Sequence, residues 1–373
     1  MKILHISSAK SFGGGERYLA DLVNALAARG DEVYVAVRPG SPVPTELKLP
    51  PENLLEIPLR NALDAKSASA LFRFVKQRKI QIVHAHMARD YPLAAYAARR
   101  NKATRLIVTR HVLFPLNRLH AITLRGVGRV IAVSAAVARH LQAQRLIPEN
   151  RITVVNNGID LERVASARSR FDRDAFLSRW DLPEKSLLIG SVGALTPLKG
   201  HDDFLRAASL IKGSFPHAFF IIAGTDSSPN QSHRIQLERM ITELGLVENI
   251  RMIGWMDDLA SLFCALDVFV SASHTESFGL AIVEAMVAGA AVVTTATEGA
   301  KEIIQDGETG MLVPIGDFRA LAEAVNALVS DDSKREHLCL QAQRAATSRF
   351  SLERMVEETA RIYSEVLKGS VEN

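Results

Sequence analysis

The sequence predicts an α/β protein built from two successive doubly wound units. Short runs of β-branched and apolar residues alternate with amphipathic stretches along most of the chain. The alternation stops at a charged stretch, residues 162–185, and then starts again. Strands that are apolar throughout and separated by helices are typical of buried parallel sheets. A length of 373 residues also favours two domains over one.

In the first unit, each predicted strand is a short apolar run that ends at a loop. The strands are residues 2–6, 33–37, 80–84, 105–109, 129–133 and 152–155, and the helices between them include 16–29, 65–78 and 135–144. The charged stretch that follows is interpreted as a linker plus a connecting helix.

The second unit repeats the pattern. Its predicted strands are residues 187–192, 218–223, 250–253, 267–271 and 291–295. Its predicted helices are 201–212, 232–244, 257–264, 278–288, 318–330, 333–348 and 352–368. We expect domains at 1–165 and 166–350, and a last helix, 351–373, that crosses back to the first domain. The carboxyl-end edges of the two sheets are expected to face each other across a cleft.

Composition excludes several classes of protein. The chain is 47% hydrophobic and 23% charged, which is typical of globular proteins and excludes a disordered one. Two cysteines, Cys264 and Cys339, cannot form a disulfide framework and favour a reducing cytosol. The apolar run at the start is too short for a signal peptide, and the longest apolar stretch, 278–293, is too short to span a membrane. We therefore expect a cytoplasmic protein that is soluble or peripheral.

Charge is unevenly distributed, although the net charge is only +4. Residues 73–151 contain sixteen Lys and Arg but two acids, Asp90 and Glu149. These arginines are either solvated and paired with the acidic remainder of the chain, or they form a surface for anionic lipid or a phosphorylated acceptor. Sparse aromatic residues, 6% of the chain, argue against a nucleic-acid partner.

The motif with the strongest chemical signal is a pair of glutamates, Glu276 and Glu284. It follows the strand 267–271 and spans the start of a helix expected to open at Phe278. The amides from Ser277 to Leu280 would point out of the helix start and suit a diphosphate, and Gly279 would let it come close. The carboxylates lie at most about 12 Å apart along the helix, too far to share a metal. The alternative is that Glu276 merely caps the helix and that Glu284 lies on its apolar face, satisfied by the backbone.

Two loops carry further candidates. Gly13, Gly14 and Gly15 follow the first strand and allow positive φ angles and a close ligand approach, although GxGxxG is absent; a flexible turn is the alternative. Lys199 follows the strand 187–192 and is a point charge suited to phosphate.

Strand ends also carry His111, after 105–109, and His86, after 80–84. Each is a candidate to line the cleft; the alternative is a structural histidine that is hydrogen-bonded to a backbone carbonyl. No metal site is expected, because HExxH and Cys/His clusters are absent and the DxD at Asp172 and Asp174 lies in the charged linker.

Together these residues resemble the retaining glycosyltransferases of the GT-B fold, the glycosyl transferases group 1 family with its Glu-x7-Glu motif. That group includes sucrose-phosphate synthases, bacterial mannosyltransferases and lipopolysaccharide-core glucosyltransferases. The likeness covers nearly the whole chain. It rests on the glycine loop with Glu16, His111, Val133-Ser134, Asn156 to Asp160, Val192-Gly193 with Lys199-Gly200, and the pair Glu276 and Glu284.

The resemblance implies a role for each site residue. The catalytic residues would be His111 beside the transferred sugar, Lys199 on the leaving phosphate and Glu276 on the sugar hydroxyls. The donor-binding residues would be Glu284 on the ribose, the amides of Ser277, Phe278, Gly279 and Leu280 on the diphosphate, Gly14 and Gly15 from the other domain, and Gly254 and Trp255 at the base. Ala194 stands where the family often has arginine; either another cation, such as Arg17 or Arg110, replaces it, or the phosphate charge is less fully compensated.

The implied reaction is the transfer of a hexose-type sugar from a nucleotide-diphosphate sugar, with retention at the anomeric carbon. The donor would be a UDP-sugar as first choice and a GDP-sugar as second. Neither a metal nor a cofactor would be needed. The leaving phosphate would take the proton of the acceptor hydroxyl. The acceptor would be a glycan or lipid-linked molecule of bacterial-type envelope glycan synthesis, including lipopolysaccharide, and the enzyme would be peripheral at the inner face of the membrane. Alternatives are a nucleotide-sugar-binding protein without turnover, kept open by Ala194, and a GT-B epimerase or phosphorylase.

Overall fold

The computed structural model describes residues 1–369, which form two compact units. The first unit contains Met1–Gly158 together with the segment that begins at Leu352, and the second unit is Ile159–Ser351. The boundary expected after residue 165 falls inside a helix, Leu161–Arg170, that lies wholly in the second unit. Asp160 begins this helix by accepting a hydrogen bond from the Arg163 amide.

The first unit has a seven-stranded parallel sheet. Its strands are β1 (Lys2–Ser7), β2 (Glu32–Val37), β3 (Leu54–Glu56), β4 (Ile82–Ala85), β5 (Arg105–Arg110), β6 (Arg129–Ala132) and β7 (Ile152–Val154). The strand order is β3-β2-β1-β4-β5-β6-β7. The helices are α1 (Gly14–Ala28), α2 (Ala65–Arg78), α3 (Tyr91–Arg99), α4 (Arg118–Leu124) and α5 (Ala135–Gln144). The sequence did not predict β3, α3 or α4.

The second unit has a six-stranded parallel sheet. Its strands are β8 (Leu187–Val192), β9 (Ala218–Ala223), β10 (Ile250–Gly254), β11 (Val268–Ser271), β12 (Ala291–Thr295) and β13 (Met311–Val313), in the order β10-β9-β8-β11-β12-β13. The helices are α6 (Leu161–Arg170), α7 (Arg173–Arg179), α8 (His201–Ser214), α9 (Ser232–Glu243), α10 (Leu259–Ala265), α11 (Leu280–Ala288), α12 (Ala300–Ile303), α13 (Phe318–Val329) and α14 (Asp332–Arg349).

The last helix, α15 (Leu352–Lys368), completes the core of the first unit. Its buried side chains include Met355, Val356 and Tyr363, which pack in one cluster with residues of β1, β2, β4, β5 and α1. The helix is strongly amphipathic, because its apolar residues recur every three to four positions and its charged residues lie between them. Within residues 1–369, no helix is both long and apolar enough to cross a bilayer.

Each sheet has one point where the strand order reverses. In the first sheet it lies between β1 and β4, and in the second between β8 and β11. At such a point the loops after two neighbouring strands leave in opposite directions and open a crevice at the carboxyl ends of the strands.

Candidate functional site

Lys199 and Glu276 form an ion pair at the strand-order reversal of the second sheet. Lys199 follows β8 on a 3-10 turn, Pro197–Lys199, and Glu276 follows β11. The Lys199 Nζ atom lies 2.6 Å from Glu276 Oε2, and the two side chains are 29% and 18% exposed. The Ser273 hydroxyl also donates to Glu276 Oε2, at 3.4 Å. The pair is therefore oriented but still open to a ligand.

The turn that carries Lys199 packs directly against the loop that carries Glu276. Gly200 has φ +63°, and a Cβ there would lie 2.0 Å from the carbonyl oxygen of Ala272, so only glycine fits. The His274 amide donates to the carbonyl of Leu198 at 2.9 Å. These backbone contacts set the distance between the two charged side chains.

The helix start after Glu276 lies two residues later than expected. We predicted a start at Phe278, but α11 begins at Leu280, with Gly279 as its N-cap residue. Ser277, Phe278 and Gly279 form a turn instead, held by the Gly299 amide, which donates to the carbonyl of Glu276 at 3.1 Å. A Cβ at Gly299 would lie 2.6 Å from the carbonyl oxygen of Phe278. The amides at the helix start, including that of Leu280, lack intrahelical acceptors and suit an anion.

Glu284 is the fifth residue of α11 and is half-buried. Because the helix rises 1.5 Å per residue, its Cα lies about 6 Å along the axis from that of Leu280. Glu284 is thus close to the helix start but beyond the ion pair. The structure thus places Glu276 before the start of this helix and Glu284 after it.

At the end of β10, Gly254 and Trp255 lie beside the loop after β9. The Gly224 amide donates to the carbonyl of Gly254 at 2.8 Å. Trp255 is 49% exposed, and its indole N–H donates to Asp257 at 2.6 Å. An exposed indole fixed at one edge offers a flat apolar face to a ring-shaped ligand.

In the first unit, the glycine loop differs from expectation. None of Gly13, Gly14 and Gly15 has a positive φ, because Gly14 and Gly15 form the first turn of α1 and Gly13 is extended. The Cβ position of Gly15 lies 3.8 Å from the His111 ring, while Gly14 is exposed. The loop and His111 are thus brought together within this unit.

His111 belongs to a cluster of four histidines at the β1–β4 reversal. His111 Nε2 lies 3.5 Å from His86 Nδ1, and His86 Nε2 lies 3.0 Å from His5 Nδ1. His84, opposite His5 in the sheet register, is hydrogen-bonded to Thr109 and to Tyr363 of α15 at 2.7 and 2.6 Å.

Burial keeps these imidazoles neutral. It lowers the pKa of His5 to about 3, and burial together with the charge of Arg110 lowers the pKa of His111 to about 3. Burial lowers the pKa of His84 and His86 well below the usual value, with the neighbouring histidines adding to the effect. At neutral pH the cluster therefore offers N–H donors and lone pairs but no charge.

Two groups in the described chain bring metal-binding atoms within 4.8 Å of one another: His5, His84 and His86; and Asp202, Asp203 and His274. In the first group, both ring nitrogens of His84 and both of His86 already have hydrogen-bond partners. In the second group, Asp203 accepts from His274 at 2.8 Å and from Arg206 at 3.3 Å. Most donor atoms of both sets are thus already engaged in hydrogen bonds within the protein, whereas His5 Nε2 and Asp202 Oδ1 have no partner among residues 1–369.

The two arginines expected to replace a cation at Ala194 have partners inside the first unit. Arg17 pairs with Glu46 at 3.1 Å. Arg110 is buried and donates to the carbonyl of Phe114. Both guanidinium groups are thus positioned by local contacts.

Sequence reasoning missed several residues that support the site. Asp203, at the start of α8, is 5% exposed and holds His274, which precedes Glu276 by two residues. The Thr295 hydroxyl, at the end of β12, donates to the carbonyl of Ser273 at 2.5 Å. Gly299 holds the turn before α11. Their partners are distant in sequence, and no local pattern marks these contacts.

A cavity of about 390 Å³ lies away from all of these residues, at the amino-end edge of the first sheet. Arg105, Arg129, Arg151 and Glu365 line it. Arg129 and Arg151 donate to the carbonyls of Asn150 and Val127 at 2.7 and 2.8 Å. These arginines thus connect the loops at this edge of the sheet by hydrogen bonds to backbone carbonyls.

Two family profiles match successive parts of the chain. The profile described as Glycosyltransferase Family 4 matches residues 12–163, and the profile described as Glycosyl transferases group 1 matches residues 172–345. The second match contains Lys199, Glu276 and Glu284.

Curated relatives and solved structures agree with the profiles. A lipopolysaccharide core biosynthesis glycosyltransferase of Rhizobium meliloti is 27% identical over 362 residues, covering 96% of this chain and 97% of the relative. A D-inositol 3-phosphate glycosyltransferase of Salinispora tropica is 32% identical over 225 residues, 58% of this chain but only 46% of the relative.

The fold is shared with solved glycosyltransferases. The HepE protein of Anabaena, solved in complex with UDP-glucose, superposes with a TM-score of 0.85 at 22% identity, over 98% of this chain and all of its own. A glycosyltransferase of Rickettsia africae gives 0.86 at 23% identity, over 98% of both chains. From these profiles and the two parallel sheets with their interleaved helices, the chain belongs to the group 1 glycosyltransferases of the GT-B fold.

Proposed function

We propose that this glycosyltransferase is a retaining, metal-independent enzyme that transfers a hexose-type sugar from a nucleotide-diphosphate sugar to a hydroxyl of a glycan or lipid-linked acceptor. The observation that carries the proposal is the ion pair of Lys199 and Glu276 beside the start of α11. A cation, a helix start and a carboxylate within one crevice can bind a diphosphate and a sugar together.

In this assignment, the leaving diphosphate is stabilised by the second unit. Lys199 has three N–H donors, so it can hold Glu276 with one and a phosphate oxygen with another. The amides from Ser277 to Leu280 take the remaining charge. Loss of one such preorganised donor typically lowers turnover by about 10²- to 10³-fold. The phosphate oxygen that leaves the sugar accepts the proton of the acceptor hydroxyl, so no side-chain base is required.

The other site residues bind the sugar and the nucleoside. Glu276 accepts hydrogen bonds from sugar hydroxyls, and Glu284 from the ribose. Trp255 offers its exposed face to the base beside Gly254. We assign Gly14, Gly15 and His111 of the first unit to the donor phosphate and the transferred sugar.

UDP is the first choice of nucleotide and GDP the second. HepE of Anabaena, whose fold this chain shares, was solved with UDP-glucose. A thermal-shift screen of UDP-, GDP- and ADP-hexoses tests the choice, because a ligand at 100 times its dissociation constant adds about 2.7 kcal/mol of stability. Stabilisation by a UDP-sugar, followed by release of UDP on addition of acceptor, supports the proposal. Stabilisation without any turnover would favour a nucleotide-sugar-binding protein, the alternative suggested by Ala194.

The acceptor side is proposed to face an anionic membrane surface, on the inner face. Around α4, Phe114, Leu119 and Ile122 are 60%, 70% and 67% exposed, next to the exposed Arg118 and Arg125. Exposed apolar side chains beside arginines are typical of helices that lie in a headgroup layer. The Rhizobium meliloti relative is named for lipopolysaccharide core biosynthesis, which fits a lipid-linked acceptor.

Vesicle sedimentation tests this surface. We expect binding to anionic but not neutral vesicles, reduced by salt and by Arg118→Glu, since each basic residue near the surface contributes about 1 kcal/mol. Arg239→Glu, an exposed arginine of α9, is the matched control and should bind normally. Equal binding to both kinds of vesicle, or none to either, contradicts the membrane assignment but leaves the donor site untouched.

A further inference from the structure

Three imidazoles of the first unit form a continuous file. His5 lies in β1, His86 follows β4 and His111 follows β5. His5 Nδ1 contacts His86 Nε2 at 3.0 Å, and His86 Nδ1 contacts His111 Nε2 at 3.5 Å. The ring planes of His86 lie 23° from those of His5 and 26° from those of His111. Both nitrogens of His86 are thus used, one toward each neighbour.

The file has to be polarised in one direction. A neutral imidazole carries one N–H and one lone pair, so each nitrogen–nitrogen contact needs one donor and one acceptor. If His5 donates to His86, then His86 carries its proton on Nδ1 and donates to His111 Nε2. If His111 donates instead, both contacts reverse. The proton of His5 and the proton of His111 are therefore coupled through His86.

The surroundings of His5, at the end of the file away from His111, favour one of these two hydrogen-bond directions. His5 is fully buried, and among residues 1–369 its Nε2 atom has no hydrogen-bond partner. A buried N–H without an acceptor is rarer and more costly than a buried lone pair without a donor. His5 is therefore better placed with its proton on Nδ1, which makes it the donor to His86.

The groups around the file do not compete for these nitrogens. The His84 ring packs against His86 at a tilt of 35°, with centroids 4.3 Å apart, but its own nitrogens bind Thr109 and Tyr363. Tyr18 meets the His111 ring edge-on, with centroids 4.8 Å apart. Arg110, the charged neighbour of His111, donates to the carbonyl of Phe114. The positive charge of Arg110 and burial both oppose a protonated file.

We propose that His5 and His86 are positioning residues that hold His111 as its Nδ1–H tautomer. The consequence for the reaction rests on the proposed function: His111 then presents an N–H donor to an oxygen of the transferred sugar, while its Nε2 lone pair is used by His86. The preference for a sugar oxygen that accepts this hydrogen bond is thereby determined by His5, which reaches the sugar only through His86 and His111.

The tautomer is measured directly in the full-length protein labelled with ¹⁵N-histidine. The chemical shifts of the two ring nitrogens show which of them carries the proton, and His111→Gln assigns the resonances. At pH 7.5 we expect His111 and His86 to be protonated on Nδ1. A His111 protonated on Nε2 overturns the proposal. This result does not depend on turnover, so it stands even if the proposed activity fails.

The positioning role is tested with His86→Phe, which keeps a ring but removes both nitrogens. We expect His111 to lose its single tautomer, and kcat to fall about tenfold, the equivalent of one neutral hydrogen bond, with KM for the donor unchanged. His217→Gln, an exposed histidine of the second unit, is the control and should change neither. A His111 that stays entirely Nδ1–H in His86→Phe overturns the role of His86, whether or not the variant is less stable.

Discussion

Lowering the pH from 7.0 to 5.5 is expected to destabilise the first unit. Its four clustered histidines stay neutral in the folded state because burial holds their pKa values far below the usual 6.5. In the unfolded chain each regains its ordinary pKa and takes up a proton. The unfolded state therefore binds more protons, so stability is present above about pH 6.5 and is lost as the pH falls through that value.

The magnitude follows from the linkage relation. A histidine that is neutral when folded and has a pKa of about 6.5 when unfolded loses about 1.3 kcal/mol between these two pH values. His5 and His111 alone give about 2.5 kcal/mol, and all four give about 5 kcal/mol. The raised pKa values of Glu16 and Asp90 act in the opposite sense and reduce the loss at the acid end.

Urea unfolding followed by far-ultraviolet circular dichroism measures the effect. With a denaturant slope of about 2 kcal/mol/M, the midpoint of the first unit should move by about 1 to 2.5 M between the two pH values. His111→Gln should reduce the pH dependence by the contribution of one histidine, whereas His217→Gln, at an exposed position, should leave it unchanged. A midpoint that stays constant from pH 7.0 to 5.5 would refute the neutral cluster.

Four further predictions concern the second unit. Lys199→Ala should lower kcat about 10²-fold through loss of one charge-stabilising donor, while Lys334→Ala, an exposed lysine of α14, should have no effect in the same steady-state assay. Glu284→Gln should weaken UDP binding in calorimetry, whereas Glu276→Gln should reduce turnover with a smaller loss of affinity; wild-type behaviour of both would show that the site is wrongly assigned. Turnover should continue in EDTA, and a loss restored by magnesium or manganese would contradict the metal-free mechanism. Gly299→Ala should lower the melting temperature and donor affinity together, because the new Cβ collides with the carbonyl of Phe278; an unchanged affinity would argue against the role of this turn in binding.

Buried parallel strands are the part of the fold that the sequence predicts best. Strands such as β1, β8 and β9 are buried on both faces and largely apolar, so their runs stand out without reference to any partner. The edge strands β3 and β13 are three residues long and half-exposed, and runs of that length carry no period. Short edge strands are therefore easily missed, although β7, an edge strand of the same length, was predicted as residues 152–155.

The candidate site was predictable where a residue's position follows from the end of a strand. Lys199 and Glu276 each come after a strand, and adjacent parallel strands bring their loops together. His5 and His84 escaped prediction because they lie inside apolar strands, and the contact of His5 with His86 joins residues 81 positions apart. Such a contact depends on strand order, which no local pattern contains. The late start of α11 has a similar cause, because the contact of Gly299 with Glu276 holds the preceding turn open.

The position of α15 has a consequence for synthesis on the ribosome. The first unit needs this helix to bury the cluster around Met355 and Val356 and to supply the Tyr363 hydroxyl to His84. Yet the whole second unit, Ile159–Ser351, is made between Gly158 and Leu352. At about 5–20 residues per second, that delay lasts roughly 10 to 40 s. During this time the nascent first unit exposes an apolar groove to solvent, and the second unit can finish folding before the one that began first.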